Sequence, residues 1–396
     1  MSKRIYLSSP TMHGDEQRFV AEAFETNWVA PLGPNVDAFE KELCGYTGAP
    51  YAAALSSGTA AIHLAVRLLG IGEGDIVFCQ SLTFSATCNP VAYEKGKVVF
   101  IDSEMDTWNM DPEALKLAYE KYPNPKAVIF VHLYGTPAKV GELMDICSKH
   151  GTPVIEDAAE SLGASYQDKK TGTFGDFGIF SFNGNKIITT SGGGMLASRN
   201  EEAIQKARFL ATQARDPALH YQHSQIGYNY RMSNVVAGIG RGQLLHLDEH
   251  IALKKKIYHQ YQQAFLDIPQ LHMNPLNKDG GANYWLSCIM LEEGIAEEKV
   301  SQEENPIILR ILDALAKENI ESRPIWKPLH LQPVFADADF ITARQDAGER
   351  ESRILAGRPY SNAEQVFANG LCLPSDIKNT EEEMEKIISI LREQLK

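Results

Sequence analysis

Short apolar segments without polar alternation are the feature of this sequence that most constrains its fold. A strand exposed on one face alternates apolar and polar side chains, whereas a strand covered on both faces does not. Helical patterns separate several of these segments, including residues 111–122 and 140–150. The alternation predicts an α/β fold whose large domain is built on a mostly parallel sheet. The predicted strands are residues 75–78, 98–101, 127–132, 153–156, 177–182 and 194–198.

The C-terminal part of the chain has a different pattern. Residues 201–214 and 244–265 are predicted helices, and the second leads into another domain. Thr380 precedes three glutamates, as is typical of a capped helix with an acidic first turn. We expect a large domain over residues 1–245 and a smaller α+β domain over residues 246–396. Further predicted elements are 284–291, 310–319 and 380–395, with loops or short helices at 278–283 and 337–361.

Lys186 stands between two apolar segments, which is uncommon for a lysine. Ile179 and Phe182 precede it, and Ile187 and Ile188 follow it directly. An amine that is removed from water loses affinity for its proton and becomes a usable nucleophile, as Schiff-base chemistry requires. A solvated surface lysine is the ordinary alternative, and the local pattern leaves both open.

Asp157 lies at the carboxyl end of the predicted strand 153–156, where open α/β sheets usually bind ligands. Pyridoxal phosphate requires a lysine for its aldehyde, a carboxylate beside its pyridine nitrogen, and donors for its phosphate. Asp157 can supply the carboxylate, because a nearby negative charge favours the protonated ring nitrogen. Capping of a following helix by Asp157 or Ser161 is the alternative.

An amphipathic helical pattern begins close to Gly58, with Ala61, Leu64 and Leu68 on one face. The first turn of such a helix offers free backbone N–H groups, which bind anions such as phosphate. An ordinary Ser/Thr N-cap fits the same pattern. Ser181 would add a hydroxyl group to a phosphate bound here.

Several motifs occur together in a fixed order along nearly the whole chain. With them the chain resembles the DegT/DnrJ/EryC1/StrS family of pyridoxal-phosphate sugar aminotransferases, which have the aspartate-aminotransferase (type I) fold. The motifs are Trp-Val-Ala-Pro-Leu-Gly-Pro at 28–34, Ser-Gly-Thr-Ala-Ala at 57–61, Thr-Phe-Ser-Ala-Thr at 83–87, Glu-Asp-Ala-Ala at 156–159, the lysine segment 181–194 and Gly-Tyr-Asn-Tyr-Arg-Met-Ser at 227–233.

The resemblance implies roles for three residues around the cofactor ring. Lys186 would bond to the cofactor and then carry the proton between the amino-acid α-carbon and the cofactor. Asp157 would pair with the pyridine nitrogen. Phe84 would stack on the ring, although a core phenylalanine is the alternative. Relatives that dehydrate sugars have a histidine at the lysine position, so Lys186 favours transamination over dehydration. Another pyridoxal-phosphate reaction, such as dehydration or an aldol-type cleavage, is the alternative, and a half-reaction with glutamate would separate them.

The resemblance also implies a phosphate site formed by Thr59, Ala60 and Ser181. Asn229 would reach this phosphate from the neighbouring subunit, so that the active sites belong to a homodimer. Two departures from the family stand nearby. Glu160 replaces a glutamine or histidine beside the cofactor's 3′-oxygen, and Thr-Ser-Gly-Gly-Gly at 190–194 replaces the usual Thr-Gly-Glu-Gly-Gly.

A basic segment near residue 325 is the predicted substrate site. Arg323, Lys327 and His330 would contact a diphosphate, and Trp326 would stack on a base or a sugar. A loop shaped by prolines, with its charges in water, is the alternative. Trp28 is a further candidate for substrate binding. It belongs to the segment 27–34, which resembles the subgroup of the family described next.

The resemblance is greatest to enzymes that aminate UDP-4-keto-6-deoxy-N-acetylglucosamine to UDP-N-acetylbacillosamine-type sugars. We therefore expect a UDP-linked 4-keto sugar as acceptor and L-glutamate as donor. Another nucleotide-linked keto sugar (3-keto or dTDP-linked) is one alternative. A non-catalytic regulatory relative that binds pyridoxal phosphate is the other, and the presence of Lys186, Asp157 and Asn229 argues against it.

The net charge of −13 opposes nonspecific binding to nucleic acid and to anionic membranes. The six cysteines are scattered without a C-x-x-C pair, so neither a metal site nor a disulfide framework is expected, and a reducing cytoplasm is the expected location. No signal peptide is expected, and no apolar run approaches the ~20 residues of a membrane span.

Overall fold

The computed structural model describes residues 3–292, 305–344 and 360–395. Its strands form an eight-stranded sheet, a four-stranded sheet and a small three-stranded sheet. In chain order they are β1 (Tyr51–Leu55), β2 (Ile76–Gln80), β3 (Lys97–Ile101), β4 (Ala127–Val131), β5 (Val154–Asp157), β6 (Ser165–Tyr166), β7 (Lys169–Lys170), β8 (Phe177–Ser181), β9 (Gly194–Ser198), β10 (Leu271–Met273), β11 (Gly280–Gly281), β12 (Ser287–Leu291), β13 (Arg323–Pro324), β14 (Asp339–Ile341) and β15 (Gly370–Leu373).

The large sheet has the order β1-β9-β8-β5-β4-β2-β3-β14. The pairs from β8 to β14 are all parallel, and only β9 runs against its neighbours. The predicted mostly parallel α/β sheet is therefore confirmed. In this register Val131 lies beside Asp157, which in turn lies beside Ile179. The carboxyl ends of β4, β5 and β8 consequently form one edge.

Helices cover both faces of the large sheet. Val77 and Cys79 of β2 face one apolar cluster, whereas Phe78, between them, faces another. Burial on both faces explains why the strand segments lack polar alternation. The helices are α1 (Asp15–Glu25), α2 (Pro34–Thr47), α3 (Gly58–Leu68), α4 (Asn89–Tyr93), α5 (Pro112–Lys121), α6 (Val140–His150), α7 (Glu201–Ala211), α8 (Asn234–Leu244), α9 (Leu247–Ala264), α10 (Pro306–Lys317), α11 (Asn362–Asn369) and α12 (Glu381–Gln394), with 3-10 turns at Ser85–Thr87, Leu133–Gly135, Leu329–Leu331 and Pro333–Phe335.

The C-terminal part forms the four-stranded sheet β10-β12-β15-β13, and residues of α9, α10 and α12 pack with it in one apolar cluster. The two parts of the chain exchange segments across the expected boundary at residues 245 and 246. Strand β14 extends the large sheet beside β3, and Ile5 forms a bridge with Ile320. A hydrophobic pattern is local and does not report such long-range pairings.

Three predicted segments differ from the structure in detail. Residues 244–265 form α9 only from Leu247, because the preceding helix α8 ends at Leu244. Segment 278–283 contains the short strand β11, and segment 337–361 contains β14. Residues 345–359 of the latter segment lie outside the described residues. None of the helices in the described ranges is long and apolar enough to cross a membrane.

Candidate active site

The site lies at the carboxyl edge of the large sheet. Asp157 is the last residue of β5, and Ser181 is the last residue of β8. Lys186 follows β8 in a turn, where its backbone N–H donates to the carbonyl oxygen of Asn183 at 3.0 Å. Because β5 and β8 are parallel neighbours, their ends bring the three side chains to the same edge.

The Lys186 side chain is only 13% exposed. Its Nζ lies 3.4 Å from Oε1 of Glu160 and 4.0 Å from the centroid of the Trp285 ring. A cation this close to an indole face is attracted by the ring's electrons. The amine is thus held between a carboxylate and an aromatic ring, largely away from bulk water.

Glu160 joins this amine to the aromatic residues around it. Its Oε2 accepts a hydrogen bond from the backbone N–H of Tyr134 at 2.8 Å, and its Oε1 also accepts one from the indole N–H of Trp326 at 3.4 Å. The Tyr134 hydroxyl accepts from the Trp326 backbone N–H at 3.0 Å. Tyr134, Trp285 and Trp326 therefore form an aromatic wall beside the amine.

Sequence analysis did not single out Tyr134 or Trp285. A signal existed for Tyr134, which closely follows the carboxyl end of β4, just as Asp157 ends β5. Trp285 had no comparable signal, because it comes from a turn about one hundred residues after Lys186. Only the fold places its ring against the amine.

Asp157 is a buried carboxylate. Its Oδ2 accepts from the Thr87 hydroxyl at 2.8 Å and its Oδ1 from the Ala159 backbone N–H at 3.1 Å. Burial raises the pKa of Asp157, the charge of Glu160 adds to this effect, and the hydrogen bonds and the charge of Lys186 oppose it. Among the described residues no basic side chain forms an ion pair with Asp157. A cationic group beside it would relieve the cost of this buried charge.

The beginning of α3 lies close to the last residue of β8 and the first residue of β9, and the three form a tight corner. Ser57 is the N-cap, and its Oγ accepts from the Ala60 backbone N–H at 3.0 Å. A Cβ on Gly58 would lie 3.1 Å from Cβ of Ser181, and a Cβ on Gly194 would lie 2.3 Å from the Ser57 carbonyl carbon. Glycine at both positions lets the helix N-terminus and the Ser181 side chain meet.

The corner leaves backbone donors for an anion. The first intrahelical hydrogen bond runs from the Ala61 N–H to the Ser57 carbonyl oxygen at 3.2 Å. The amides of Gly58 and Thr59 precede it, so the helix itself does not satisfy them. The Ala60 amide is already bonded to Ser57. Of the two backbone donors expected from the sequence, Thr59 is therefore the better placed.

Phe84 is 60% exposed, which excludes the alternative of a core phenylalanine. It precedes the turn Ser85–Thr87, where the hydroxyl groups of Thr83 and Thr87 lie 3.0 Å apart. Thr87 in turn donates to Asp157. Hydrogen bonds of Thr83 and Thr87 therefore join the segment that carries Phe84 to the buried carboxylate of Asp157.

These features fit pyridoxal phosphate. A buried carboxylate that forms no ion pair with a basic side chain in the described ranges suits a protonated pyridine nitrogen. The amides at the start of α3 suit a phosphate, and Lys186 presents an amine at the same edge. The exposed ring of Phe84 suits a flat aromatic group. The fold and this donor set define a pyridoxal-phosphate-dependent enzyme of the aspartate-aminotransferase (type I) class.

Comparison with known proteins identifies the family. The profile of the DegT/DnrJ/EryC1/StrS aminotransferase family matches residues 10–392, and the chain belongs to this family. It is a sugar aminotransferase that uses pyridoxal phosphate. A protein named pyridoxal phosphate-dependent aminotransferase EpsN, from Bacillus subtilis, is 52% identical over 395 residues, which are 99% of this chain and 96% of that protein.

Two further similarities extend over almost the whole chain. The GDP-perosamine synthase of Caulobacter vibrioides is 35% identical over 389 residues, which are 98% of this chain and 97% of that protein. The crystal structure of a DegT DnrJ EryC1 StrS aminotransferase from Brucella abortus superimposes with a TM-score of 0.82 at 26% identity. The superposition covers 96% of this chain and 95% of that one.

The predicted substrate residues do not all meet in the structure. Trp326 lies in the site, where its indole N–H contacts Glu160. Arg323 is exposed and forms an ion pair with Glu321 at 3.1 Å. Lys327 is half-buried close to Trp326 in the chain. Trp28 is 41% exposed and its carbonyl oxygen accepts from Asn234.

His330 is buried, unlike Arg323. Its side chain is fully buried, its Nδ1 lies 2.6 Å from the Ser81 hydroxyl, and its ring stacks on Phe340 with centroids 3.8 Å apart. These contacts connect the 3-10 turn Leu329–Leu331 to the large sheet. The alternation of basic and apolar residues did not distinguish a core histidine from a ligand-binding one.

Asn229 is exposed and lies between Tyr228 and Tyr230, whose rings stack with centroids 4.8 Å apart. Its Oδ1 accepts from the Gln213 side chain at 3.2 Å, and its backbone bridges Thr212. The stacked tyrosines fix the backbone around Asn229, so its side chain is presented at the surface of the protomer.

A histidine cluster connects α1 with α9 outside this site. His13, His246 and Glu249 come close enough together to be considered as metal ligands. However, the two nitrogens of His246 lie 3.0 Å from Asp15 and 3.3 Å from Glu249. The rings of His13 and His246 stack with an interplanar angle of 7°. Parallel stacked rings do not direct their nitrogens at one ion, and the cluster is explained by hydrogen bonding.

Proposed function

We propose that the protein transfers the amino group of L-glutamate to the C4 keto group of a UDP-linked 2-acetamido-2,6-dideoxy-4-keto-hexose. The observation that carries the proposal is the Lys186 amine held at the carboxyl edge of the sheet between Glu160 and Trp285, at the same edge as Asp157. A transferase of this kind needs an amine that is desolvated, yet held beside a group that stabilises its protonated form.

Pyridoxal phosphate, when bound, supplies an aldehyde that reacts with amines and a ring that accepts the electron pair released at the amino-acid α-carbon. Lys186 Nζ would provide the attachment point for the cofactor aldehyde and would carry the proton that leaves the amino-acid α-carbon. Glu160 Oε1, at 3.4 Å, would hold this amine in place.

The other residues of the site hold the cofactor. Asp157 lies where it would keep a pyridine nitrogen protonated, and Phe84 would pack on the ring. The Thr59 amide and the Ser181 hydroxyl would bind the phosphate, beside Ala60, whose own amide donates to Ser57 Oγ. The contacts of Asp157 and the close approach of Gly58 to Ser181 support these assignments.

We propose that the enzyme acts as a homodimer in the cytoplasm. Exposed Asn229 would complete the phosphate site of the neighbouring subunit. Three apolar side chains of the same segment, those of Leu219, Tyr221 and Ile226, are all highly exposed. Such exposure is typical of residues covered by another protein chain. The six cysteines are free thiols, which agrees with a reducing location.

The sugar substrate would lie against the aromatic wall. Trp326 faces Glu160, and Arg323 and Lys327 are its basic neighbours in the chain. Trp28 offers a further exposed aromatic face. These residues suit the diphosphate and sugar of a nucleotide sugar, whereas His330 is left out because it is buried.

A GDP-linked 4-keto sugar is the second candidate. The observation that favours it is the 35% identity to a GDP-perosamine synthase over 98% of this chain. Both candidates share the amine transfer at the sugar carbon and differ in the nucleotide. A non-catalytic regulatory role is disfavoured by the desolvated lysine, which binding alone does not require.

The test follows the cofactor spectrum of the purified protein. L-Glutamate should abolish the absorption band of the lysine-bound cofactor, and the UDP-linked keto sugar should restore it, while D-glutamate serves as the control. Restoration only by a GDP-linked 4-keto-6-deoxy sugar would replace the nucleotide in the proposal. No response to L-glutamate would contradict the transaminase proposal itself.

A further inference from the structure

The turn at residues 283–285, just before β12, is held in a strained conformation. Tyr284 has a φ of 57°, in the left-handed region that residues other than glycine rarely adopt. The Asn283 side-chain amide donates to the carbonyl oxygens of Glu160 and Leu162, each at 3.0 Å, and its Oδ1 accepts from the Trp285 N–H at 2.9 Å. Such strain persists only where the surroundings fix the backbone.

This turn places Trp285 against Lys186 and Asn185. Its ring face lies 4.0 Å from Lys186 Nζ, and its indole N–H donates to the carbonyl oxygen of Asn185 at 2.7 Å. Trp285 therefore contacts both the reactive amine and the backbone immediately before it. A shift of this ring would move the amine relative to Glu160.

Lys254 contacts Trp285 at its backbone carbonyl oxygen. This buried residue of α9 donates from its Nζ to the carbonyl oxygens of Trp285 at 3.0 Å and Ser375 at 2.8 Å, and to the Ser8 hydroxyl at 3.3 Å. An ammonium group has three N–H donors, and here each has an oxygen acceptor. Burial lowers the pKa of Lys254 to about 8, and the charge of Asp376 opposes this shift.

A small cavity lies beside both lysines. Lys186 and Lys254 both line it, together with Ser8, Thr11 and His250. The lysines do not touch, so mechanical support from Lys254 reaches Lys186 through the Trp285 backbone and ring. Burying an ammonium group costs free energy. Here the buried ammonium of Lys254 donates to the carbonyl oxygen of Trp285, which belongs to the strained turn.

We propose that Lys254 is a positioning residue for Lys186 and acts through Trp285. This inference rests on the proposed function, because it assumes that Lys186 is the reactive amine. Lys254 touches neither cofactor nor substrate in this account. Its role is to fix the turn that presses the indole against the amine and holds the Asn185 carbonyl oxygen.

The test measures how fast the purified apoprotein bonds to added pyridoxal phosphate, at a temperature well below the melting point of every variant. The products are reduced with borohydride, and the modified lysine is located by mass spectrometry. Lys254→Met and Trp285→Phe should each slow attachment at Lys186 about ten-fold, as small misplacements of reacting groups do. The control is Lys256→Met, which removes an exposed lysine of the same helix paired with Glu381, and it should not change the rate.

The double variant separates positioning from general weakening of the fold. If Lys254 acts through Trp285, combining the two substitutions should slow attachment no further than either alone. The inference would be overturned if the double variant lost the product of the two single fold-losses in rate. It would also be overturned if folded Lys254→Met attached the cofactor at an unchanged rate. If Lys254→Met does not fold, Lys254→Gln goes through the same cycle. Wild-type protein that attaches the cofactor at a lysine other than Lys186 would instead contradict the proposed function.

Discussion

Lys186 and Glu160 face each other at the carboxyl edge of the large sheet, with Nζ and Oε1 3.4 Å apart and side chains only 13% and 4% exposed. A buried pair of opposite charges is stable only when further hydrogen bonds satisfy its atoms. Glu160 receives these from the Tyr134 N–H and the Trp326 indole. The pair therefore holds the amine at this edge of the sheet.

Replacing Lys186 by alanine should leave the fold intact and reduce turnover by about a thousand-fold or more, because the proton carrier is lost. Cofactor binding should persist at lower affinity through the phosphate and ring contacts. The rate of amine transfer and the cofactor content after dialysis measure the two effects. Turnover close to that of the wild type would exclude Lys186 as the reactive amine.

Glu160→Gln preserves the size of the side chain and its acceptor for the Tyr134 N–H, but removes the negative charge beside Lys186. We expect kcat to fall about ten-fold with a smaller change in KM for L-glutamate, since the substitution affects the amine more than substrate binding. Steady-state kinetics with both substrates provide the check. A change in KM alone would place Glu160 in substrate binding.

Asp157→Asn should have opposite effects on the apoprotein and on the loaded enzyme. Because burial raises the pKa of Asp157, its charge is costly in the folded apoprotein, and the amide should raise the melting temperature. The same substitution removes the partner of a protonated ring nitrogen, so the extra stability gained on adding pyridoxal phosphate should shrink. Thermal melts with and without the cofactor measure both. An unchanged gain on cofactor addition would favour a capping role for Asp157.

Gly58→Ala tests the corner between α3 and β8. The new Cβ would lie 3.1 Å from Cβ of Ser181, so we expect weaker cofactor binding through displacement of the phosphate donors. Gly45→Ala is the matched control, because nothing lies within 4 Å of a Cβ in that position of α2. Alanine should stabilise this helix by up to about 1 kcal/mol. Equal cofactor affinities in the two variants would argue against a phosphate site at the start of α3.

Asp111 gives a test of stability against pH. Burial, together with the charges of Asp102 and Glu104, raises its pKa from 3.8 to about 6 although the Glu113 N–H opposes the shift. The folded protein therefore binds this proton more tightly than the unfolded chain, and its stability falls as the pH rises from about 4 to about 6.

Asp111→Asn keeps an N-cap acceptor for α5 and removes the charge. The variant should be more stable at pH 7.5 by about 1 kcal/mol, after allowance for partial exposure, and the difference should vanish toward pH 4. Denaturant unfolding at both pH values measures this. Asp145→Asn, at an exposed position of α6, controls for net charge. A difference that persists at pH 4 would contradict the assignment.

The residues that sequence analysis found are those whose signal is local. Asp157 and Ser181 end apolar strands, Lys186 follows one, and the parallel order of β5 and β8 brings them together as expected. The residues whose surroundings were not predicted depend on distant segments. Trp285 approaches Lys186 through a strained turn, and His330 enters the core because Phe340 and Ser81 surround it. The pairing of β14 with β3 in the large sheet was not predicted either, because the two strands are far apart in the chain.

The most direct test of the central claim follows nitrogen itself. The enzyme is incubated with ¹⁵N-labelled L-glutamate and the UDP-linked 4-keto sugar, and the product is analysed by mass spectrometry and NMR. The account predicts one ¹⁵N atom on C4 of the sugar with the wild-type protein and none with Lys186→Ala. Labelled sugar from the alanine variant at the wild-type rate, or no label in any keto sugar offered to the wild type, would contradict it.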